Sequence, residues 1–168
     1  DNNAANWSYE PDGVIKVAGY RPGPGPDAMD VVGNRWPNLV VEVALNESEP
    51  HVRLKALDWL NTCTVPGTTG DRGVQQVIVI KIGTNLRADG HRTMKAMRFE
   101  RGQPINPVQE IEFGNHGGNN GATVANLPGM QLNIPAAHLY RPNNPPVGLP
   151  VTIDLDLFFV RQKIEASF

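Results

Sequence analysis

The chain has few cysteines, no long apolar run and little net charge. Cys63 is the only cysteine among 168 residues, which excludes an intrachain disulfide and a zinc site built from several cysteines. No apolar run approaches the roughly 20 residues that a membrane-spanning helix needs, and the opening Asp1-Asn2-Asn3 lacks the features of a secretory signal. We therefore expect an intracellular protein, cytoplasmic or nuclear, without a membrane partner.

The charge balance is slightly acidic. The sequence has 15 Lys and Arg against 17 Asp and Glu, with a formal net charge of -2. This excludes the global basic excess that binds nucleic acid non-specifically, so any contact with nucleic acid must be local. The length is that of one compact domain, expected over residues 1–168. The four histidines are spaced too widely for a helical zinc pair and are expected on the surface or in loops.

The first half of the chain predicts a strand, a helix and a strand. Residues 14–17 form a short β-branched strand, and residues 39–45 are apolar throughout except for Glu42. Such a continuous apolar strand belongs in a sheet covered on both faces. Ser48 can cap a helix whose apolar face and Lys55 point toward the sheet, and residues 77–82 form the next buried strand. A connection of this kind predicts a right-handed crossover and one parallel strand pair.

The second half predicts further β-structure and a closing helix. Residues 92–100 and 108–113 are expected to form two antiparallel strands, with another short strand over residues 130–134. The last helix should begin at Asp154 or Asp156. The basic residues of the first antiparallel strand are expected to form a solvated face rather than a phosphate contact. They are Arg92, Lys95, Arg98 and Arg101.

The acidic residues beside the first two strands favour a divalent-metal site. Metal-dependent phosphodiester cleavage needs carboxylates that hold Mg²⁺ or Mn²⁺ and a cation that steadies the attacking water or the phosphate. Asp12 precedes the first strand, and Glu42 lies in the middle of the second. If these strands pair as a hairpin, the two carboxylates can face one another, and Lys55 can reach the same place from the helix.

Residues 36–60 carry a resemblance to a known family. The segment Trp36-Pro37-Asn38-Leu39-Val40-Val41-Glu42-Val43, followed by Arg53-Leu54-Lys55-Ala56 and Trp59-Leu60, resembles the restriction-endonuclease-like proteins of the PD-(D/E)XK nuclease superfamily. The motif Glu10-Pro11-Asp12-Gly13 and the segment Gly129–Pro135 are similar to the fungal branch of that family. The likeness extends along most of the chain, and its specific part is residues 36–60.

The resemblance implies an α/β fold in which helices flank a mixed β-sheet, and metal-dependent hydrolysis of nucleic acid, with DNA as the expected substrate. Carried over by position, Asp12 and Glu42 are the implied ligands of Mg²⁺ or Mn²⁺, and Lys55 is the implied basic residue. Asp27, in Pro26-Asp27, is a competing match for the first ligand. The resemblance is compatible with a homodimer.

The chain departs from the family pattern at positions that bear on activity. The nuclease lysine normally lies two residues after the glutamate, where this chain has Ala44, so the chemistry would depend on Lys55. Pro37-Asn38 replaces a Pro-Asp that is frequent in the bacterial branch. A catalytically inactive binding or interaction module of the same fold is therefore the alternative. In a purely structural interpretation, Glu42 forms a salt bridge with Lys55 or Lys81.

Overall fold

The computed structural model describes residues 37–62, 73–88, 90–103, 106–114, 121–140 and 144–168, together with the backbone of residues 13–15. Seven strands and three helices lie within these ranges. In chain order they are β1 (Gly13–Ile15), β2 (Leu39–Leu45), α1 (Glu49–Thr62), β3 (Gln76–Leu86), β4 (Arg92–Glu100), β5 (Gln109–Glu112), β6 (Gln131–Pro135), α2 (Ala136–Leu139), β7 (Thr152–Asp156) and α3 (Leu157–Glu165).

The main sheet is mixed and has the strand order β1-β2-β3-β4-β5. β2 and β3 are parallel and are joined through α1, which confirms the predicted crossover pair. The other neighbouring strands of this sheet are antiparallel. β1 pairs with β2 in antiparallel orientation so that Gly13 lies opposite Val41, which is the strand pairing on which the predicted site of Asp12 and Glu42 is conditional. A second sheet contains β6 and β7 in antiparallel order.

Each face of the central strands packs into its own apolar cluster. Because side chains alternate along a strand, Val40 and Val77 point to the face that α1 covers, where they meet Val52 and Leu60. Leu39 and the alternate residues of β3 point to the opposite face. The prediction that β2 is covered on both faces is correct only in part, because Leu39 is fully buried on this opposite face while Val43 and Leu45 are 43% and 44% exposed.

Much of the second face is covered by the C-terminal third of the chain. Phe113, Leu132 and Leu157 are fully buried in one cluster with Ile78 and Met94 of the main sheet. This cluster joins the small sheet and α3 to the five-stranded sheet. The described structure is therefore a mixed α/β arrangement with helices on both faces of the main sheet.

Helix α1 begins as its sequence predicts. The Ser48 hydroxyl accepts a hydrogen bond from the backbone N–H of His51 at 3.4 Å, so Ser48 is the N-cap residue. Val52, Ala56, Trp59 and Leu60 lie on the buried face, as their spacing predicts. Among the helices that the structure describes, none has the length and apolar character needed to cross a bilayer.

The C-terminal segment differs from its prediction. Asp156 is the N-cap of α3, since one carboxylate oxygen accepts from the Phe158 N–H at 3.0 Å. Asp154, the other predicted start, lies inside β7, a strand that was not predicted. Helix α2 was also not predicted. The acidic residues of β7 fit a strand because its partner β6 offers polar groups, such as the Asn133 amide that bonds Asp154 at 2.7 Å.

The prediction of a solvated basic face on β4 is wrong. Lys95 and Arg98 are an odd number of residues apart, so they point to opposite faces of the strand. Arg98 is only 9% exposed and pairs with Glu100. Lys95 is half-buried among the carboxylates of Glu49 and Glu110. These cations are neutralised within the fold, because burying an unpaired charge is costly.

The shared core makes a prediction about α3. Leu157→Ala removes a fully buried side chain that joins the two sheets, and should lower the free energy of unfolding by about 2–5 kcal/mol. Phe159→Ala on the same helix is the control. That ring is 56% exposed, and its loss should cost less than about 1 kcal/mol. Urea denaturation followed by circular dichroism measures both, and equal losses would contradict a core that extends to α3.

Candidate active site

The side chain of Glu42 is the centre of the candidate site. It lies in the middle of β2 and shares its face with Val40 and Ala44, beneath α1. The residue is 2% exposed. A carboxylate at this depth is unstable as an isolated charge, because it has lost its hydration. Its position therefore depends on the groups that touch it.

Both carboxylate oxygens of Glu42 meet side chains of α1. The indole Nε1 of Trp59 donates a hydrogen bond to Oε1 at 2.6 Å. The Lys55 amine lies 2.6 Å from Oε2 as an ion pair. Among the described residues, Oε2 accepts no hydrogen bond of good geometry, so it is the oxygen with lone pairs to spare. Within the described part of the chain, Glu42 thus has one oxygen anchored by Trp59 and one that contacts the Lys55 amine.

The spacing along α1 explains why the two partners come together. Lys55 and Trp59 are four residues apart, so they lie on the same face of the helix one turn from each other. That face packs on the sheet through Val52 and Ala56. The Lys55 side chain is 18% exposed, which keeps its amine between the buried carboxylate and the protein surface.

The structure brings together some of the predicted site residues. Glu42 and Lys55 are in direct contact, as predicted, and Lys55 is also the partner named in the structural interpretation of Glu42. Asp12 and Asp27 lie outside the described residues. Gly13, which follows Asp12 in the sequence, is opposite Val41, which precedes Glu42.

One described side chain has the donor type of a divalent-metal ligand. Oε2 of Glu42 is a carboxylate oxygen with no good hydrogen bond among these residues, which is the donor type that Mg²⁺ and Mn²⁺ prefer. Within the described ranges, no group of three or more His, Cys, Asp or Glu side chains converges. Of the described residues, Glu42 fits a metal as a single ligand, and any further ligands would have to come from elsewhere in the chain or from water.

Lys81, the second predicted partner of Glu42, is placed differently. β3 lies between β2 and β4, so Lys81 belongs to an interior strand of the sheet. It stands opposite Ala44 on one side and Lys95 on the other. Within the described part of the chain, its amine forms no ion pair with Glu42. Lys81 is thus level with the position at which the wider nuclease pattern has its lysine, but on the neighbouring strand.

A network of charges lies at the N-terminal end of α1. Arg53 binds Glu49 at 2.5 Å and Glu110 at 2.7 Å, while Lys95 binds the same carboxylates at 3.0 and 2.8 Å. Hydrogen bonds from Arg53 and then from Lys95 lower the pKa of Glu49. At Glu110, partial burial raises the pKa of the carboxyl. Hydrogen bonds from Lys95 and Arg53 outweigh this effect, so the pKa of Glu110 is also lowered. The network ties α1 to β4 and β5.

Sequence reasoning missed the role of Trp59 and a polar cluster at the other end of the sheet. Trp59 was predicted only as an apolar residue, although a buried indole N–H needs an acceptor and Glu42 is the charged residue of the adjacent strand. At the far end, the Gln76 amide nitrogen lies 2.8 Å from Nδ1 of His138. His138 was predicted on the surface or in a loop, but it is in α2 and half-buried.

Comparison of the chain with protein-family models, with curated proteins and with solved structures found no match in any of the three.

The buried pair makes a prediction that a double-mutant cycle can measure. Lys55→Met leaves the Glu42 carboxylate without its cation, and should lower the free energy of unfolding by about 3–5 kcal/mol. Adding Glu42→Gln removes the uncompensated charge while an amide oxygen can still accept from Trp59. The double variant should therefore lose less than the sum of the single variants, with a coupling of about 1–3 kcal/mol. Strict additivity in urea denaturation would show that the ion pair does not stabilise the fold.

The charge network makes a prediction about acid. The folded pKa values of Glu49 and Glu110 are lowered, so their stabilising contribution is present above the unfolded value of 4.5 and is lost as the pH falls below it. Lys95→Met should weaken this dependence, because it removes a cation from both carboxylates. The measurement is the free energy of unfolding as a function of pH from neutral downward.

The control for the acid experiment is Lys163→Met, on the exposed side of α3. It removes the same charge outside the network and should leave the decline with acid unchanged. If Lys95→Met and Lys163→Met gave the same pH profile as wild type, the network would not be a source of acid sensitivity.

Proposed function

We propose that this protein has a restriction-endonuclease-like fold and hydrolyses phosphodiester bonds of nucleic acid. The proposed substrate is DNA, and the proposed cofactor is Mg²⁺ or Mn²⁺. The observation that carries the proposal is the contact between Glu42 and Lys55. A buried acidic residue and an amine from different elements meet at 2.6 Å in the middle of a mixed sheet. Such a pairing of a buried carboxylate with a specific cation is frequent at catalytic sites.

The pairing of β1 with β2 supports Asp12 as the second carboxylate of the site. Because Gly13 is opposite Val41, the residues adjoining this pair in sequence are Asp12 and Glu42. We propose that these two residues hold the ion, with Asp27 as the alternative to Asp12. A bound ion of this kind polarises a phosphate and lowers the pKa of a bound water.

Each described side chain then has a distinct task. Glu42 presents Oε2 toward the site, and Trp59 holds the carboxylate in place through Oε1, so Trp59 is a positioning residue. Lys55 orients the attacking water and offsets the charge that develops on the phosphate. Lys55 reaches the site from α1 and so takes the place of the strand lysine, whose usual position is occupied by Ala44.

A second function, a catalytically inactive binding module, is favoured by the burial of Glu42. The residue is 2% exposed, and one oxygen already accepts from Trp59 while the other meets Lys55. This arrangement also suits a carboxylate that only fastens α1 to β2. The two functions can be distinguished by metal binding, because catalysis requires that an added ion reaches Oε2 of Glu42 and a purely structural role does not.

A nicking assay tests the proposed activity. Supercoiled plasmid DNA is incubated with Mg²⁺ or Mn²⁺, and Glu42→Gln should reduce the cleavage rate by about a hundredfold or more because it removes a charged ligand. Trp59→Phe should reduce it by about 10–100-fold and raise the metal concentration that gives the half-maximal rate, because the carboxylate loses its anchor. Glu47→Gln, a carboxylate in contact with His51, is the control and should cleave like wild type.

Thermal melting separates the two functions. An intact site gains stability from Mn²⁺ by linkage, and that gain should disappear in Glu42→Gln. A folded wild-type protein that neither cleaves DNA nor gains stability from Mn²⁺ would exclude the hydrolytic function and leave the binding module. Full cleavage by Glu42→Gln would remove Glu42 from the mechanism.

A further inference from the structure

Two adjoining cavities lie beyond Ala44, at the carboxyl ends of β2 and β3. Their volumes are about 220 and 390 Å³, and both are lined by Lys81, Gly83 and Thr93. We call the space around these three residues the Lys81 groove. In open α/β sheets, ligands bind outside the carboxyl ends of parallel strands, which is where this groove lies.

Lys81 is not explained by the packing of the fold. The preceding residues on its face of β3, Val77 and Val79, are fully buried apolar side chains, and a further apolar residue would continue the pattern. Lys81 is instead a half-buried cation. Among the residues that the structure describes, its amine has no carboxylate or hydrogen-bond partner. The groove therefore contains a positive charge that these residues do not neutralise.

The backbone around the groove departs from regular strand geometry. The pairing of β3 with β4 shifts register between Ile82 and Leu86, as at a β-bulge. Gly83 lies in this interval, and a Cβ atom there would collide with the Thr93 hydroxyl. Asn46, which lines the larger cavity, has a φ of 69°, a left-handed conformation that asparagine tolerates. Irregularities of this kind are frequent beside binding sites.

Acidic and basic side chains are distributed unequally between the two cavities of the groove. The carboxylates of Glu49 and Glu112 line the smaller cavity only, where Lys95 pairs with both of them. Among the described residues that line the larger cavity are Lys81, Arg87 and Thr84, and none of those described residues carries a carboxylate. A described lining with cations, polar side chains and no acidic side chain is suited to an anion.

We propose that the Lys81 groove binds a phosphate group, with the Lys81 amine and the Thr93 hydroxyl as its principal contacts. The group comes either from a nucleic-acid backbone or from a free phosphate or small phosphorylated molecule, since the recognition chemistry is the same. This site is separate from the Glu42 carboxylate and does not require hydrolysis. A local phosphate site also accords with a chain whose net charge is slightly negative.

The test measures binding in the presence of a chelator, so that metal-dependent cleavage cannot contribute. The first probe is inorganic phosphate, titrated at constant ionic strength and followed by the backbone amide NMR signals of the groove. The second is a fluorescein-labelled DNA oligonucleotide, followed by anisotropy over a series of salt concentrations. Lys81→Met removes the charge and keeps the apolar stem, while Lys81→Arg keeps the charge.

Lys81→Met should weaken phosphate binding by about tenfold or more, because a charge-assisted hydrogen bond is lost. It should also reduce the slope of log affinity against log salt for DNA by about one. Lys81→Arg should retain binding, and Lys163→Met on the other face of the sheet should behave as wild type. Circular dichroism melting confirms that each variant is folded.

If Lys81→Met loses binding of both probes, the result supports the proposed phosphate site and identifies a nucleic-acid backbone as the source of the phosphate. Loss of inorganic phosphate alone supports the groove and identifies a small phosphorylated ligand. The proposal is overturned if wild type binds neither probe, or if folded Lys81→Met binds both as wild type does. A failure of DNA cleavage with intact Lys81-dependent binding would count against the Glu42 mechanism and not against the groove.

Discussion

A buried carboxylate needs hydrogen-bond donors or a cation beside it, and the rest of this structure depends on that constraint. Glu42 lies beneath α1 and is only 2% exposed, so water does not solvate its charge. Its close contacts come from Trp59 and Lys55 of α1. The position of α1 on the sheet is therefore specified by polar contacts as well as by apolar packing. The same contacts hold a carboxylate and an amine together at one point, and the proposed catalytic function rests on this contact.

The face that carries Glu42 changes character along its length. Val40, Val77 and Phe99 form a dry core at one end. The middle contains Glu42 with its partners, and the other end contains Lys81, Lys95 and the adjoining cavities. Hydrolysis of a phosphodiester requires a carboxylate site for a metal and a cationic site for a phosphate. The two proposals place these requirements next to each other on one face, but each has its own residues and its own test.

The sequence predicted those elements whose residue pattern is explained by burial or helical spacing alone. β2 has the predicted bounds, because an apolar run of that length suits a strand, but the predicted cover on both faces is only partly right since Val43 and Leu45 are exposed. Lys55 points toward the sheet as its helical spacing predicts. β7 was missed because its acidic residues resemble a helix start, and its stability as a strand comes from cross-strand partners in β6 that are distant in sequence. The buried state of Arg98 and the indole bond of Trp59 likewise depend on tertiary partners.

The central claim is that Oε2 of Glu42 faces a divalent cation during function. A crystal soaked in Mn²⁺ and measured at the manganese absorption edge tests it most directly, because anomalous scattering locates the ion without assumptions about activity. The account predicts an anomalous peak within coordination distance of the Glu42 carboxylate, with Lys55 still beside it. Clear density for Glu42 bound only by Trp59 and Lys55, with no manganese peak at the carboxylate, would contradict it.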